Sequence, residues 1–451
     1  MQSGADQRID LQLYEWSTAG PETHAQLGGV SLGEDAATRE LVRRLAEQGV
    51  IVLTELRAGL RVETGSYVGR IAVGPLNISV LPKVAWRRWI GLFSFGLRLR
   101  SLVRTEDLAV RISPSALHDL VVLELLVEAR DLIGRGLHRE YVRRRQNLSA
   151  PKGRIDFGRI AKCGGIHNPS IPCRFTRRHD DFHLNRVLLA GLRAASMVAT
   201  DVQLRSDVRR LSQQLTDAIS SIPLSADAIT RARSALDRRT ARYGPSLELI
   251  DLIRRGMLAS IEQPEKITPA TIRGFALDMN ALWQRLLGRI LGEWLPEVEV
   301  KEEHALRQLI RPDPEYSPRR RGGHIPRPDF AVFQRRRLVT YLDAKYRDIW
   351  EKGLPREMLY QLALYASAHE GRTSAILYPT EHPEASEERL HICDMQNASI
   401  VSTVALRPVN MAELGRLVAA GISEKLLEER SRFARALVEA QPSPGTRQTG
   451  P

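Results

Sequence analysis

The chain has 451 residues, 43% of them hydrophobic, which is enough for two or three domains with real cores. A net charge of +13 and a pI of about 10.0 favour polyanionic partners, of which nucleic acid is the commonest. Three cysteines (Cys163, Cys173 and Cys393) exclude a disulfide framework, and no apolar run reaches the length of a membrane span, so a cytoplasmic protein with no membrane partner is expected.

Residues 1–110 read as mainly β. IDLQLYEW alternates apolar and polar residues, and a helix is expected from about Asp35 to Gln48. VIVLTEL, LRVETGSYVGRIAVG and LNISVLPKV follow as short strands, punctuated by Gly65, Gly69 and Gly74. No GxxxxGK[ST] pattern accompanies these glycines, so this chain is expected to bind no nucleotide.

Residues 111–265 read as a mostly helical connector. SALHDLVVLELLVEARDLIGRGL is apolar around most of its circumference and predicts a buried helix, with Ser113 or Ser115 as its cap. The basic segment after it carries Arg143, Arg144, Arg145, Lys152 and Arg154. These residues suit either a DNA backbone or a solvated linker. Cys163, His167, Cys173, His179 and His183 fall close together. His179 and His183 form an HxxxH pair, but the cysteines are isolated, so a zinc set stands against a plain loop leading into LNRVLLAGLRAASMVA.

Residues 266–440 carry the chemistry. GFALDMNALWQRLLGRILGEWL predicts an amphipathic helix, and VEVKEEH a strand. PRPDFAVFQRRRLVTYLDAKY then reads as two short strands joined by the basic turn Arg335, Arg336, Arg337, a further candidate for DNA contact. Asp329 opens the first strand after Pro328, and Asp343 and Lys345 end the second. Alternation across a strand puts Asp343 and Lys345 on one face. Two carboxylates beside a lysine form a hard-cation site suited to Mg²⁺ and a phosphodiester. In the next predicted helix, MLYQLALYA, Gln361 and Tyr365 share a face at i and i+4. SAILYPT, HICDMQ and SIVSTVAL predict further strands, and two helices and a disordered tail at 441–451 complete the chain.

The Pro-Asp strand followed by Asp-x-Lys resembles the PD-(D/E)xK nuclease pattern, and the Gln-x-x-x-Tyr helix resembles that of its RecB-like members. Several blocks in order resemble one family, McrC, the nuclease subunit of McrBC modification-dependent restriction systems: YVGRIAVGPLNISVLPK, GLHREYVRRRQNLSAPKGRIDF, DDFHLNRVLL, ALDMNALWQRLL and PRPDF with LDAKY. The resemblance implies an α+β multidomain protein: a β-rich, partner-docking N-terminal domain, a helical middle region, and a C-terminal α/β restriction-endonuclease-like domain with an αβββα core. It implies Mg²⁺-dependent cleavage of double-stranded DNA, with Mn²⁺ as a substitute. In that reading Asp329 and Asp343 hold the metal, and Lys345, Gln361 and Tyr365 complete the catalytic set. The implied partner is a hexameric McrB-like AAA+ GTPase or ATPase that recognises methylcytosine DNA and translocates it. Gln284 stands where many such nucleases carry a glutamate in the first helix, and is expected either to act behind the metal ligands, through a metal-bound water, or to leave the site to its two acids. The competing readings are a non-catalytic regulator of an AAA+ ring and a stand-alone RecB-like nuclease.

Overall fold

The computed structural model describes residues 8–33, 35–83, 86–96, 117–162, 170–259, 272–307, 309–310, 325–421 and 423–439. Ser113, Ser115, Cys163, His167 and the tail at 441–451 lie outside the described residues. The architecture is mixed α and β. Among the described residues no helix is long and apolar enough to cross a membrane.

The chain forms two compact units, and they do not follow the linear boundaries at 110 and 265. One unit comprises Met1–Val68, Ile78–Pro114 and Asp278–Pro451; the other comprises Gly69–Asn77 and Ser115–Leu277. The front strands and the C-terminal αβ region therefore share a unit. Linear composition could not show this, because the fold brings together segments separated by more than 300 residues.

In the first unit the strand Ile9–Tyr14 buries Leu11 and Leu13 and exposes the residues between them, the period-2 pattern of a half-buried strand. The helix Ala36–Glu47 starts where Asp35 accepts the amides of Ala37 and Thr38, which satisfies two of its free N–H groups. The strands Thr18–Ala19, Gly59–Thr64 and Ile51–Leu56 form a small sheet in that order.

A larger sheet of six strands occupies the C-terminal part of this unit. Its spatial order is Glu299–Glu302, Phe330–Gln334, Arg337–Ala344, Thr373–Thr380, Ile400–Asn410 and Glu388–Cys393. The first three strands pair antiparallel with one another, as does the last with Ile400–Asn410, and the two middle pairings, of Thr373–Thr380 with Arg337–Ala344 and with Ile400–Asn410, are parallel. A parallel step needs a crossover connection, and here it contains the helices Ile349–Lys352 and Arg356–Ser367. Tyr341, Ile349, Leu362, Tyr365, Ile376, Tyr378, Val404 and Leu406 share one core cluster. The helix Met279–Trp294 begins at Asp278, whose side chain accepts the amide of Asn280. The residues GFALD, expected to open this helix, instead belong to the strand Ile272–Asp278. Ladder bonds there satisfy backbone groups that a longer helix would otherwise claim.

The hairpin turn has φ of +50° at Arg335 and +66° at Arg336. A two-residue turn matching the strand twist needs positive φ at both positions, where Asn-Gly is usual. An L-residue there costs about 1–2 kcal/mol. Arg336→Gly is therefore expected to stabilise the protein by about 1 kcal/mol in denaturant unfolding. A lower unfolding midpoint would mean that the arginine makes interactions outweighing its strain.

The second unit buries the helix Leu117–Gly134 with His183–Val198, Val202–Thr216, Ala226–Ser234 and Gly244–Gly256. Tyr243 sits at its centre, donating to Asn185 Oδ1 at 2.7 Å and accepting the His138 amide at 2.8 Å. Gly69, expected to punctuate a turn, lies inside the strand Tyr67–Val73 with φ of +152°. A Cβ there would meet the Phe275 carbonyl oxygen at 2.1 Å. Gly274, φ +150°, meets the Arg70 carbonyl in the same way. Close approach of two backbones is what these glycines provide.

The unit is not only helical. Glu140–Leu148 and Ile171–His179 pair antiparallel over nine residues, with Arg154–Ile155 on the far side of Ile171–His179. The segment before LNRVLLAGLRAASMVA, read as a loop, is therefore largely strand. The apolar alternation of Ile171, Cys173 and Phe175 is only three residues long before it ends in Arg177 and His179, too short to mark a strand against the charged residues around it.

Candidate active site

The strand Phe330–Gln334 starts directly after Asp329, and its register sets Phe330 opposite Leu342. That pairing brings Asp329 level with the end of Arg337–Ala344, where Asp343 and Lys345 project. Asp329 Oδ2 accepts the Ala344 amide at 2.7 Å, which ties the two strands together at the site. Lys345 Nζ lies 2.7 Å from Asp343 Oδ2 and 3.8 Å from Asp329 Oδ2. The three predicted residues thus converge at the carboxyl end of a parallel strand, the usual location for ligands in open α/β sheets.

Burial shapes the electrostatics. Asp343 is 2% exposed, and its Oδ1 is buried without a hydrogen-bond partner. Burial, and then the nearby Asp343 carboxylate, push Asp329 up to about 7. Burial alone would lower Lys345, but the charges of Asp343 and Asp329 outweigh it and hold the ammonium above its ordinary value. Two carboxylates and one cation in a poorly hydrated place leave an excess of negative charge and an acceptor with nothing to accept from.

Tyr341, Asp343 and Lys345 alternate onto one face of their strand. The helix Arg356–Ser367 covers that face, with the Tyr365 ring 6.3 Å from the Tyr341 ring. Gln361 Nε2 donates to Tyr365 Oη at 2.7 Å. Burial raises Tyr365 above the ordinary tyrosine value, so it stays a neutral phenol at the floor of the site. Gln284, half-buried on Met279–Trp294, makes no hydrogen bond to Asp329, Asp343 or Lys345. Glu293, further along that helix, is paired with Arg289 at 2.8 Å.

Sequence reading missed the frame around the lysine. Tyr346 donates its amide to Asn280 Oδ1 at 3.0 Å, and its carbonyl accepts Trp16 Nε1 at 3.1 Å. Its hydroxyl reaches Glu15 Oε1 at 2.8 Å. Trp283 Nε1 donates to the Leu377 carbonyl, which also accepts the Lys345 amide; both bonds are 3.1 Å. Asn280 and Trp283 stand in ALDMNALWQRLL, so that block carried a signal, although it was read for Gln284. Glu15 and Trp16 carried none, being some 330 residues away in sequence.

The remaining predicted residues lie elsewhere. Arg335 and Arg336 are exposed in the hairpin turn, and Arg337 approaches the exposed Glu370 at 3.8 Å. Arg143, Arg144 and Arg145 are exposed on the long ribbon of the second unit. Arg145 and Arg154 both stand opposite Arg174, which grips Asp156 with two hydrogen bonds at 2.6 and 2.8 Å. Lys152 Nζ lies 5.1 Å from the Phe175 ring. Like charges opposite one another cost stability in a sheet, and Asp156 offsets part of that cost at Arg174. Of the candidate zinc set, Cys173 is buried in a strand and His183 Nε2 lies 2.9 Å from the Ala228 carbonyl. Among the described residues no three His, Cys, Asp or Glu side chains gather as a metal cluster.

A family model described as McrBC 5-methylcytosine restriction system component matches residues 62–379, more than half of the chain. No curated protein matches it. A chain of the half-complex from the tetradecameric assembly of Thermococcus gammatolerans McrB AAA+ hexamers with bound McrC aligns with a TM-score of 0.58 and 19% identity. The alignment covers 95% of this chain and 99% of that one. A chain of the Thermococcus gammatolerans McrBC complex aligns with a TM-score of 0.44 and 21% identity, over 64% of this chain and 88% of that one. At these identities the likeness is one of fold.

Proposed function

This chain belongs to the McrBC family of 5-methylcytosine restriction-system components, and from that premise we propose that it is the McrC-like, Mg²⁺-dependent DNA endonuclease subunit of such a system. Its C-terminal αβ region is read as a PD-(D/E)xK nuclease domain. Its partner is read as a McrB-like AAA+ hexamer that selects and moves methylcytosine DNA in the cytoplasm. The family match and the fold shared with a chain of an McrB–McrC assembly support the partner. The observation that carries the catalytic reading is the convergence of Asp329, Asp343 and Lys345 around an unpartnered, buried Asp343 oxygen.

The donor set fits a hard cation: two carboxylates, one with a free oxygen, and a surplus of negative charge. Asp329 and Asp343 would hold Mg²⁺, which when bound supplies Lewis-acid stabilisation of phosphoryl charge and a more acidic water. Lys345 is held as a cation by both acids, so its part is to orient a water by donating to it and to face negative charge growing on the phosphate. Tyr365 and Gln361, bonded to each other, fix the floor against which Asp343 and Lys345 stand. Tyr346, pinned at its amide, carbonyl and hydroxyl, fixes the main chain that carries Lys345.

The test is cleavage of a methylcytosine-bearing plasmid by the full chain with its neighbouring AAA+ protein, Mg²⁺ and GTP or ATP. Wild type is expected to linearise the plasmid and Asp343→Asn to leave it intact. Equal cutting by both proteins would place the chemistry elsewhere.

A further inference from the structure

Beside the candidate site is a second cluster of charge that the nuclease reading leaves unused. Lys83 is the last residue of the block YVGRIAVGPLNISVLPK, Arg347 follows Lys345 by two residues, and Lys352 ends the helix Ile349–Lys352. All three line one cleft of about 170 Å³, together with Glu15, Trp16 and Tyr346. The volume is below the roughly 300–1,000 Å³ of small-ligand pockets, so it has room for a phosphate group and not for a whole nucleotide.

Among the described residues none of these three cations forms a salt bridge. Lys352 Nζ donates instead to the Trp16 carbonyl at 3.2 Å, and the Arg347 guanidinium lies 5.6 Å from the Trp16 ring. The Arg347 Nε is buried with no hydrogen-bond partner. Burial, then the neighbouring Lys83 and Arg347, pull Lys352 below its ordinary value. The acids of the cleft act on the cluster through space, Glu15 and Glu351 among them, and not through a direct ion pair to these three cations. Asp348 accepts from Thr380 at 2.9 Å and from the Glu351 amide at 3.3 Å. Glu15 accepts the Lys83 amide and the Tyr346 hydroxyl on Oε1, both at 2.8 Å. Glu351 and Glu381 stand exposed at the rim. Three cations that meet without a direct ion pair leave N–H donors free, and a tetrahedral phosphate can accept from all of them.

We propose that Lys83, Arg347 and Lys352 form a second phosphate site, which holds a backbone phosphate of the DNA strand next to the one that is cut. The inference rests on DNA being the substrate. Arg347 is only two residues beyond Lys345, roughly 7 Å of extended chain, so a phosphate there is a near neighbour of one at Lys345. The site would set the register of the strand in the nuclease without reading its sequence.

The experiment is equilibrium binding of a short fluorescein-labelled duplex to the full chain, with Ca²⁺ in place of Mg²⁺ and salt varied. Wild type is compared with Lys83→Gln/Lys352→Gln, whose folding is checked by thermal melting, and with Lys83→Arg/Lys352→Arg. The glutamine pair is expected to lower the slope of log affinity against log salt by about one, and the arginine pair to restore it. Inorganic phosphate, added at constant ionic strength, is expected to weaken duplex binding by wild type and not by the glutamine pair. An unchanged slope, or wild-type binding without salt dependence, overturns the proposal. Competition by phosphate with an unchanged slope overturns it too, because the cleft would then take a free anion and no DNA. Cleavage is measured separately: loss of slope without wild-type cleavage removes the nuclease reading alone, and cleavage with an unchanged slope removes only the phosphate site.

Discussion

Lys345→Ala is expected to lower Mg²⁺-dependent cleavage by about 10³-fold, or about 4 kcal/mol of transition-state stabilisation. The ammonium lies between two carboxylates, 2.7 Å from one and 3.8 Å from the other, and only a quarter of its side chain is exposed. Removing it takes away the ammonium that faces the reacting phosphate in the proposed site. It also leaves two acids facing each other with no cation, which raises Asp329 further and weakens its hold on a metal. Lys345→Arg is not expected to rescue, because a planar guanidinium does not fit the place of a compact ammonium. The measurement is single-turnover cleavage of modified plasmid with the AAA+ partner and nucleotide present, with melting curves to show that the variant folds. Cleavage within a few-fold of wild type would mean that the lysine is structural. Cleavage lost together with the fold would move the effect from chemistry to stability.

Glu15→Gln is expected to stabilise the protein at pH 8 by up to about 3 kcal/mol and to flatten its stability between about pH 4.5 and 7. Glu15 is 2% exposed, and its Oε2 has no partner. Burial pushes its carboxyl from 4.5 up to about 7. Between those values the folded chain keeps a proton that the unfolded chain gives up. The unfolded state therefore binds fewer protons, and stability falls as pH rises through the window. The loss begins near the unfolded value, is complete above the folded one, and is absent below 4.5. Glutamine cannot ionise, and its carbonyl can still accept from the Tyr346 hydroxyl and the Lys83 amide. Thermal melting across pH 4 to 9, wild type against variant, reads the difference directly. Parallel curves would show that Glu15 does not titrate in that range. The same variant bears on catalysis, since the Glu15–Tyr346 bond steadies the residue after Lys345.

The hairpin was legible because its chemistry is local. Pro328-Asp329 and Asp343-Ala344-Lys345 lie within eighteen residues, and alternation along two short strands is enough to predict which charges share a face. Gln361 and Tyr365 were legible for the same reason, at i and i+4 of one helix. The wrong or missing readings have a common cause. GFALD was assigned to a helix because its apolar residues suit either period. The arginine ribbon gave no strand signal because the apolar alternation of Ile171, Cys173 and Phe175 is too short against the charged residues around it. Gln284 was singled out by its place in the first helix, whereas the bonds around the lysine come from Asn280 and Trp283 of the same helix.

By itself the sequence determined the order of the elements, the candidate acids and lysine, and the basic character that suits a polyanion. These follow from neighbours in the chain and from charge, which need no knowledge of distant contacts. Only the tertiary structure decided that the first strands share a compact unit with Asp278–Pro451, that Glu15 and Trp16 hold Tyr346, and that Lys83 meets Arg347 and Lys352 in one cleft. Those contacts join residues more than 260 positions apart. They depend on which surfaces bury one another, and no local period or propensity encodes that choice.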